Sequence, residues 1–388
     1  MSHEPQDNTH IYVDLDIINN DQRADVDPPQ LRFEETRNAP YLPGDSSNYF
    51  CSILRFSIQT GNSLPIFIPR IETGQDNPNR TVYRLTIRNP SQPNLPFNPV
   101  NEATAFLHFE SWNLTAAQPQ PPTTKQDLSS EYYFVNSYAQ FVDMMNRALQ
   151  SAWFSLTSIL PDFRQNYQGK QPYMQFDPQS SVFALYAPQP FFDASYPNGK
   201  KMELYFNTRL YQLVSSFPSK FAGNEGDKNY QIVFDGNQGQ SPVKNGPQAT
   251  PYIMTLQEIS TVALWNPVAS IVFCTSLIPI IPCNTSPPKL FGDNNTNLIS
   301  SGNNSNLTNI LTDFEISITD TNQYRPFVSY APSSEYRLID MNNVVNLNKI
   351  DLFCFWKSHY GELIPLKLQP GCAAHLKILF RHRRFGES

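Results

Sequence analysis

The sequence predicts a mostly β protein, on three observations. Proline supplies 34 of the 388 residues, well above the ~5% average usage, which works against long helices and in favour of short strands joined by ordered loops. The last third is a series of short apolar runs at 335–340, 350–357, 361–368 and 374–381, with Tyr360-Gly361 and Pro370-Gly371 as turn chemistry between them. Earlier in the chain, strand candidates recur at 49–58, 64–69, 81–87 and 105–109, separated by Gly61-Asn62-Ser63, Asp76-Asn77-Pro78-Asn79 and Pro-rich connectors, a spacing that predicts a β-sandwich.

Residues 1–45 read as an N-terminal arm. Within it Ile11, Val13, Leu15 and Ile17 alternate with Tyr12, Asp14 and Asp16, the pattern of an edge strand that pairs with something else. Past a polar, Pro-rich linker at 118–127 comes one helix. Ser137 and Gln140 make a capping box, Tyr138, Phe141, Met145, Leu149, Ala152 and Leu156 form a helical stripe, and Pro161 ends it. The stripe reads as core packing. Strands at 173–177 and 182–186 are joined through Pro178, and those at 202–206 and 230–234 flank a loop at 223–227. Residues 129–250 therefore read as a smaller, mostly β insertion with one helix, set into a sandwich built from 46–128 and 251–388.

The β pattern returns at 261–265, 271–280 and 314–318, with an Asn/Ser-rich loop at 284–309, and loops of that length are commonly functional or mobile. In 350–357 the even positions are apolar and Phe353 and Phe355 make the odd face apolar too, the pattern of a strand covered on both sides. In 375–380, Leu376, Ile378 and Phe380 point one way, with His375, Lys377 and Arg381 opposite.

Composition narrows the function. A net charge of −6 argues against a protein whose task is coating nucleic acid, since counterion release needs clustered Lys and Arg. One basic cluster, Arg381, His382, Arg383 and Arg384, reads as a solvated tail or a weak genome contact. Cys51, Cys274, Cys283, Cys354 and Cys372 are odd in number and mostly set in apolar runs, so reduced core thiols are expected and no disulfide framework. The start lacks a basic region followed by an apolar core, so no signal peptide is expected, and the sequons at Asn79, Asn113, Asn284, Asn294, Asn303 and Asn306 read as chance products. No apolar run reaches the ~18 residues of a membrane span; 270–281 is too short and holds Pro279. These features predict a soluble intracellular product.

No chemistry-bearing motif is present in the sequence. Cys274 and Cys283 have no neighbouring His, and His359, His375 and His382 lack metal-ligand spacing. Phosphate loops, dinucleotide fingerprints and a Gly-x-Ser-x-Gly elbow are absent. The acidic pairs Glu34/Glu35 and Asp14/Asp16 read as solvated charges. No catalytic, cofactor or metal residue is assigned, and a β-rich hydrolase, which requires converging carboxylates or a Ser/His pair, is disfavoured.

Taken in order, Arg32-Phe33-Glu34-Glu35-Thr36-Arg37 with Pro40, Arg55-Phe56, Leu64-Pro65-Ile66-Phe67-Ile68-Pro69, Ser270-Ile271-Val272-Phe273, Thr312-Asp313-Phe314-Glu315, Glu335-Tyr336-Arg337-Leu338-Ile339-Asp340, Phe355-Trp356-Lys357 and 376–381 are distinctive. They make the chain similar to the penton (minor capsid) proteins of virophages and related Polinton-like viruses. The resemblance implies a single jelly roll with an outward insertion, a homopentamer at each five-fold vertex of an icosahedral virion, and contact with the surrounding major capsid protein. A low charged fraction of 16% with 13% aromatic residues suits broad contact surfaces, whose cores deplete Lys and Glu. In this picture the arm threads inward or onto a neighbour. The alternative is a glycan-binding sandwich, with Trp112 and Trp153 available and a host-surface glycan met through the insertion. A major capsid protein is disfavoured, because that architecture uses two jelly rolls.

Overall fold

The computed structural model describes residues 10–21, 27–61, 63–72, 76–90, 101–111, 131–159, 169–193, 201–224, 226–235, 251–281, 289–291, 298–300, 309–315, 326–331, 337–344, 346–359 and 361–383. The first strands are β1 (His10–Ile18), β2 (Arg32–Thr36) and β3 (Tyr49–Gln59). A middle stretch follows, with β4 (Arg80–Arg88), β5 (Glu102–His108), α1 (Tyr138–Ile159), β6 (Tyr173–Asp177), β7 (Val182–Pro188), β8 (Glu203–Phe206), α2 (Thr208–Leu213), β9 (Ser219–Phe221), β10 (Tyr230–Ile232) and β11 (Tyr252–Leu256). The last third holds β12 (Val268–Cys274), β13 (Lys289–Phe291), β14 (Leu298–Ser300), β15 (Ile310–Glu315), β16 (Phe327–Tyr330), β17 (Ile339–Asp340), β18 (Lys349–Ser358), β19 (Leu363–Pro365) and β20 (Ala373–His382).

Two antiparallel sheets built from the two ends of the chain make a jelly-roll sandwich. The first runs β1-β20-β3, with β16 and β17 both on the far edge of β3; the second runs β15-β12-β18, with β2 and β19 both on the far edge of β18. Their inner faces close on one core, which includes Val13, Ile53, Phe273, Trp356 and Ile378. Phe56 of the first sheet packs on Phe273 and Phe314 of the second with ring centroids 5.1 and 5.0 Å apart, within the range where aromatic pairs attract beyond their burial.

The expected arm is part of this sandwich. β1 pairs with β20 of its own chain along nine residues, from His10 opposite Arg381 to Ile18 opposite Ala373, and β2 pairs with β18. The alternation seen in the sequence explains why. Val13 and Leu15 are buried in the sandwich core while Tyr12, Asp14 and Asp16 face water, so pairing β1 elsewhere would uncover an apolar row.

A second core spans the stretch from Ile66 to Trp265 and is wider than the expected 129–250. Strands β4 and β5, placed with the sandwich from sequence, pair instead with each other and with β8, in the sheet β5-β4-β8-β10-β9. Leu85, Ile87 and Leu107 join the same cluster as Phe141, Met145 and Leu149 of α1, which also lies against β6 of the β11-β7-β6 sheet. All six stripe residues of the helix are buried. Its cap is half of the expected box: Ser137 Oγ accepts from Ala139 N at 3.1 Å, but the Gln140 amide donates to the Glu110 carbonyl at 2.8 Å instead of reaching back. Trp265 centres an aromatic knot with Phe141 at 4.4 Å, Phe67 at 5.1 Å and Phe183 at 5.1 Å, and its indole N–H donates to Leu213 O at 2.7 Å.

Other local expectations shift. Residues 64–69 form no strand and meet Val135 through a single bridge at Phe67. The stretch expected as a strand at 261–265 contains a 3-10 turn at Val262–Trp265, and β12 ends at Cys274, short of 280. Strand β18 is covered fully on one face only. Ile350, Leu352, Cys354 and Trp356 are buried, whereas Phe353 and Phe355 are half-buried on the outside, with the Arg32 guanidinium 4.6 Å over the Phe353 ring.

Candidate functional site

Strand register decides which side chains reach the outer face of the first sheet. With Val13, Leu15, Leu376 and Ile378 turned inward, the alternate positions stand outward in rows: Asp16, His375, Ser57 and Ser329 in one, Asp14, Lys377 and Arg55 in the next. His375 Nδ1 lies 2.7 Å from Asp16 and Lys377 Nζ 3.2 Å from Asp14. Asp14 and Asp16 are thus each engaged across the strands, Asp14 in an ion pair with Lys377 and Asp16 in a hydrogen bond with His375, and an exposed ion pair stabilises by at most about 1 kcal/mol. Glu34 and Glu35 are likewise spoken for. Glu34 binds Arg32 and Lys349, Glu35 binds Arg37, and the hydrogen bond from Lys349 holds the Glu34 carboxyl below its ordinary value.

At the end of the sandwich opposite the second core, a buried carboxylate organises the loop after β12. Asp351 is 0% exposed. Its Oδ1 accepts from Thr275 Oγ1 at 2.9 Å, Ser276 N at 3.0 Å and Leu277 N at 2.9 Å, and Oδ2 accepts from Ser276 Oγ. Burial alone would raise its carboxyl, but the hydrogen bonds from Ser276, Thr275 and Leu277 outweigh that and hold it below the usual Asp value. The loop so pinned presents Leu277 and Ile281 to solvent, and the segment bridged to it through Met341 and Ile280 exposes Val344. Asp351 was not singled out in the sequence; its signal is one acid among buried neighbours, answered by a Thr-Ser pair far away in the chain.

The remaining predicted residues are placed as follows. In the basic cluster, Arg381 and His382 end β20, and Arg383 binds Asp340 at 2.8 Å and covers Phe50 at 4.7 Å, so these three are held by the fold; Arg384 lies outside the described residues. Trp153 is 0% exposed in the second core, and Trp112 lies outside the described residues. Cys51, Cys274 and Cys354 are buried free thiols, Cys372 a half-buried one, and Cys283 lies outside the description. Asn79 accepts a hydrogen bond from Tyr132 at 2.8 Å, while the other five sequon asparagines fall outside the described residues. Among the described residues no group of three or more His, Cys, Asp or Glu is placed to hold a metal ion, and no helix is long and apolar enough to cross a membrane. What the geometry offers is contact surface: two exposed sheet faces and an apolar loop end.

Comparison with known proteins agrees with that. The family model described as Sputnik minor capsid protein V18/19 matches residues 11–382. Structural protein V19 of Sputnik virophage is 25% identical over 210 residues, covering 53% of this chain and 91% of that protein. The uncharacterized protein V18 of the same virophage is 29% identical over 117 residues, 29% of this chain and 65% of that protein. Among solved structures, a chain of the Sputnik virophage determined by cryo-EM superposes with a TM-score of 0.73 at 22% identity, covering 98% of this chain and 99% of that one. The mavirus penton protein superposes with a TM-score of 0.59 at 16% identity, over 96% and 99%. At those identities the likeness is one of fold. Matched from residue 11 to residue 382, the chain belongs to the Sputnik minor capsid protein V18/19 family and is a structural capsid protein, not an enzyme.

Proposed function

We propose that five copies of this chain close head to tail into a penton at the five-fold vertices of an icosahedral virion and contact the surrounding major capsid protein. The observation that carries this is the family match along nearly the whole chain joined to a jelly roll with two dissimilar outer faces. One face bears the polar cross-strand pairs Asp14–Lys377 and Asp16–His375, the other the half-buried aromatics Phe353 and Phe355. A ring needs two different patches on each subunit, because heterologous contacts close only when one patch meets the other. In this arrangement the chain divides into a jelly roll of 10–65 and 266–383 and a projecting unit of 66–265. The jelly roll forms the ring, and the loop end at Leu277, Ile281 and Val344 points away from the projection. β1 is paired along nine residues with β20, so it does not serve as a free arm, and within the basic cluster Arg383 is bound to Asp340.

A second reading, contact of the projecting unit with a surface glycan, passes from the buried Trp153 to the β9–β10 edge. There Phe221 is 60% exposed beside Tyr230, which stacks on Tyr211 at 4.0 Å, a platform of the kind sugars pack on. A glycan array on the whole chain tests it, with loss of any signal in Phe221→Ala as the expected control. For the penton itself the tests are sedimentation of the purified chain and imaging of particles. A pentamer and density confined to the vertices are expected; a chain that stays monomeric at high concentration and is missing from virions refutes the proposal.

A further inference from the structure

Two buried polar atoms stand unpaired where the second core meets the jelly roll. Trp356 is 0% exposed, and its indole N–H reaches no acceptor among the described residues; the side-chain Oδ1 of Asn136 is buried and reaches no donor among them. The first can only donate and the second only accept. Burying either one bare forfeits the hydrogen bond it makes with water in the unfolded chain, and in native proteins such atoms are nearly always bonded to protein or to an ordered water.

The backbone turns both atoms to the same side of the junction. Val135 is held extended against Phe67, with Val135 N donating to Phe67 O at 3.0 Å and Ile66 N donating to Val135 O at 2.9 Å. Alternate side chains of an extended segment share a side. Val135 enters the second core and Phe134 the jelly-roll core, so Asn136 is turned to the jelly-roll side together with Phe134. The Phe134 ring in turn lies 5.8 Å from the Trp356 ring, centroid to centroid. Residues two apart in such a segment are separated by about 6.5–7 Å, and a donor and an acceptor joined through one water stand up to about 5.5–6 Å apart. The spacing suits a single bridging molecule.

The chemistry of the site narrows what bridges it. Ile271 and Ile364, paired with Trp356 across the sheet, and Phe134 at its ring are apolar side chains and give the indole no acceptor. A lone N–H repels a cation and a lone amide oxygen repels an anion, so the two together select a small neutral molecule that both accepts and donates. We propose that one internal water is bound here, accepting from Trp356 Nε1 and donating to Asn136 Oδ1, and that the jelly roll is joined to the second core through this hydrated contact as well as through apolar packing. The inference is independent of how many copies assemble, because both partners belong to one chain.

A crystal structure of the full chain at a resolution that shows ordered water tests this directly. The expected result is one density peak within about 2.7–3.2 Å of both Trp356 Nε1 and Asn136 Oδ1. A direct bond between the two side chains, a protein acceptor on the indole, or no peak between them overturns the proposal. Thermal unfolding of Trp356→Phe, Asn136→Leu and the double variant gives a second readout in solution. Each single change leaves the water and the opposite atom short of a partner, whereas the double change removes both ends. The double variant is therefore expected to lower Tm by less than the sum of the two single shifts. Shifts that simply add would mean that the two atoms share no water, whatever the role of each side chain in packing.

Discussion

Replacing Asp351 tests how far one buried carboxylate holds the loop end of the jelly roll. Four hydrogen bonds reach it, from Thr275 Oγ1, Ser276 N, Ser276 Oγ and Leu277 N. A hydrogen bond to a charged group contributes about 1.5–3 kcal/mol and a neutral one about 0.5–1.5, so Asp351→Asn loses on the order of 1 kcal/mol per bond. Relief of the cost of burying a charge, several kcal/mol per ion in a protein interior, offsets part of that, and a net loss of about 1–3 kcal/mol remains. Asp351→Ala leaves the same donors bare, at about 1–3 kcal/mol for each one cut off from water, and costs about 3–5 kcal/mol. Urea denaturation at several pH values measures both. Because the folded-state carboxyl is held below its unfolded value of ~3.9, its contribution is complete above about pH 4 and disappears as pH falls through the lower folded-state value. The gap between wild type and Asp351→Asn is therefore constant from neutral pH to about pH 5 and closes below pH 4. Equal stability at pH 7, or a gap that persists unchanged to pH 2, refutes the reasoning.

Further outcomes follow from the two cores. Trp265→Ala empties the centre of the knot formed with Phe67, Phe141 and Phe183 and removes one of the two donors to the Leu213 carbonyl, leaving Thr261 Oγ1; a loss of about 3–5 kcal/mol is expected in thermal or urea unfolding. Deleting 1–18 strips the nine-residue partner of β20 and uncovers its inner row, so light scattering is expected to show association through the bared edge. In native labelling with iodoacetamide, Cys372 is expected to react first and Cys51 and Cys354 only on unfolding. Burial also pushes the Cys274 thiol up to about 11, which leaves little of the reactive thiolate at neutral pH; mass spectrometry of the labelled peptides reads the order.

Much of the fold was legible where a pattern is local. The α1 stripe and the inward set Leu376, Ile378 and Phe380 appear as buried rows, and in 11–17 Val13 and Leu15 are buried with Ile11 and Ile17 partly so. What was hidden is long-range. Alternation shows that Val13 and Leu15 need a cover, but nothing near residue 13 says that the cover includes a strand more than 350 positions away, and a flanking acidic row looked like a solvated arm. Leu85 and Ile87 alternate as any sandwich residue does, so the sequence could not say which of two cores they enter. For the candidate surfaces the gap was greater. Arg55 stands in an ordinary strand, and a bulge at its own neighbour Leu54, where Lys377 and Ile378 pair with Arg55 and Ile53, sets which outward residues become its neighbours. Asp351 looked like one break in an apolar run, because its partners at 275–277 belong to another strand's end.

How the second core is fixed to the jelly roll decides whether a penton presents its projection rigidly, and Ile68, packed against both cores, is one described residue at that junction. Phe134, next to the second-core residues Tyr133 and Val135, enters the jelly-roll core and meets the Trp356 ring edge-on at 5.8 Å. Lys367, 23% exposed, reaches Asp27 at 2.6 Å and Glu131 at 2.9 Å and so ties the loop before β2 to the segment before α1. Burial works against its charge, but the hydrogen bonds it donates to Asp27 and Glu131 win and raise its ammonium above the ordinary value, so the bridge is intact throughout the neutral range. One partly buried, charge-assisted bridge contributes about 1–2 kcal/mol, small against either core and large for a junction. Lys367→Ala is therefore expected to leave both cores protected in hydrogen exchange while exchange in 60–71 and 131–135 quickens by roughly fivefold to thirtyfold. Uniform loss of protection across both cores would mean that the junction and the cores unfold as one unit, and unchanged exchange at the junction would mean that apolar packing, with Phe134 and Ile68 part of it, holds it without the bridge.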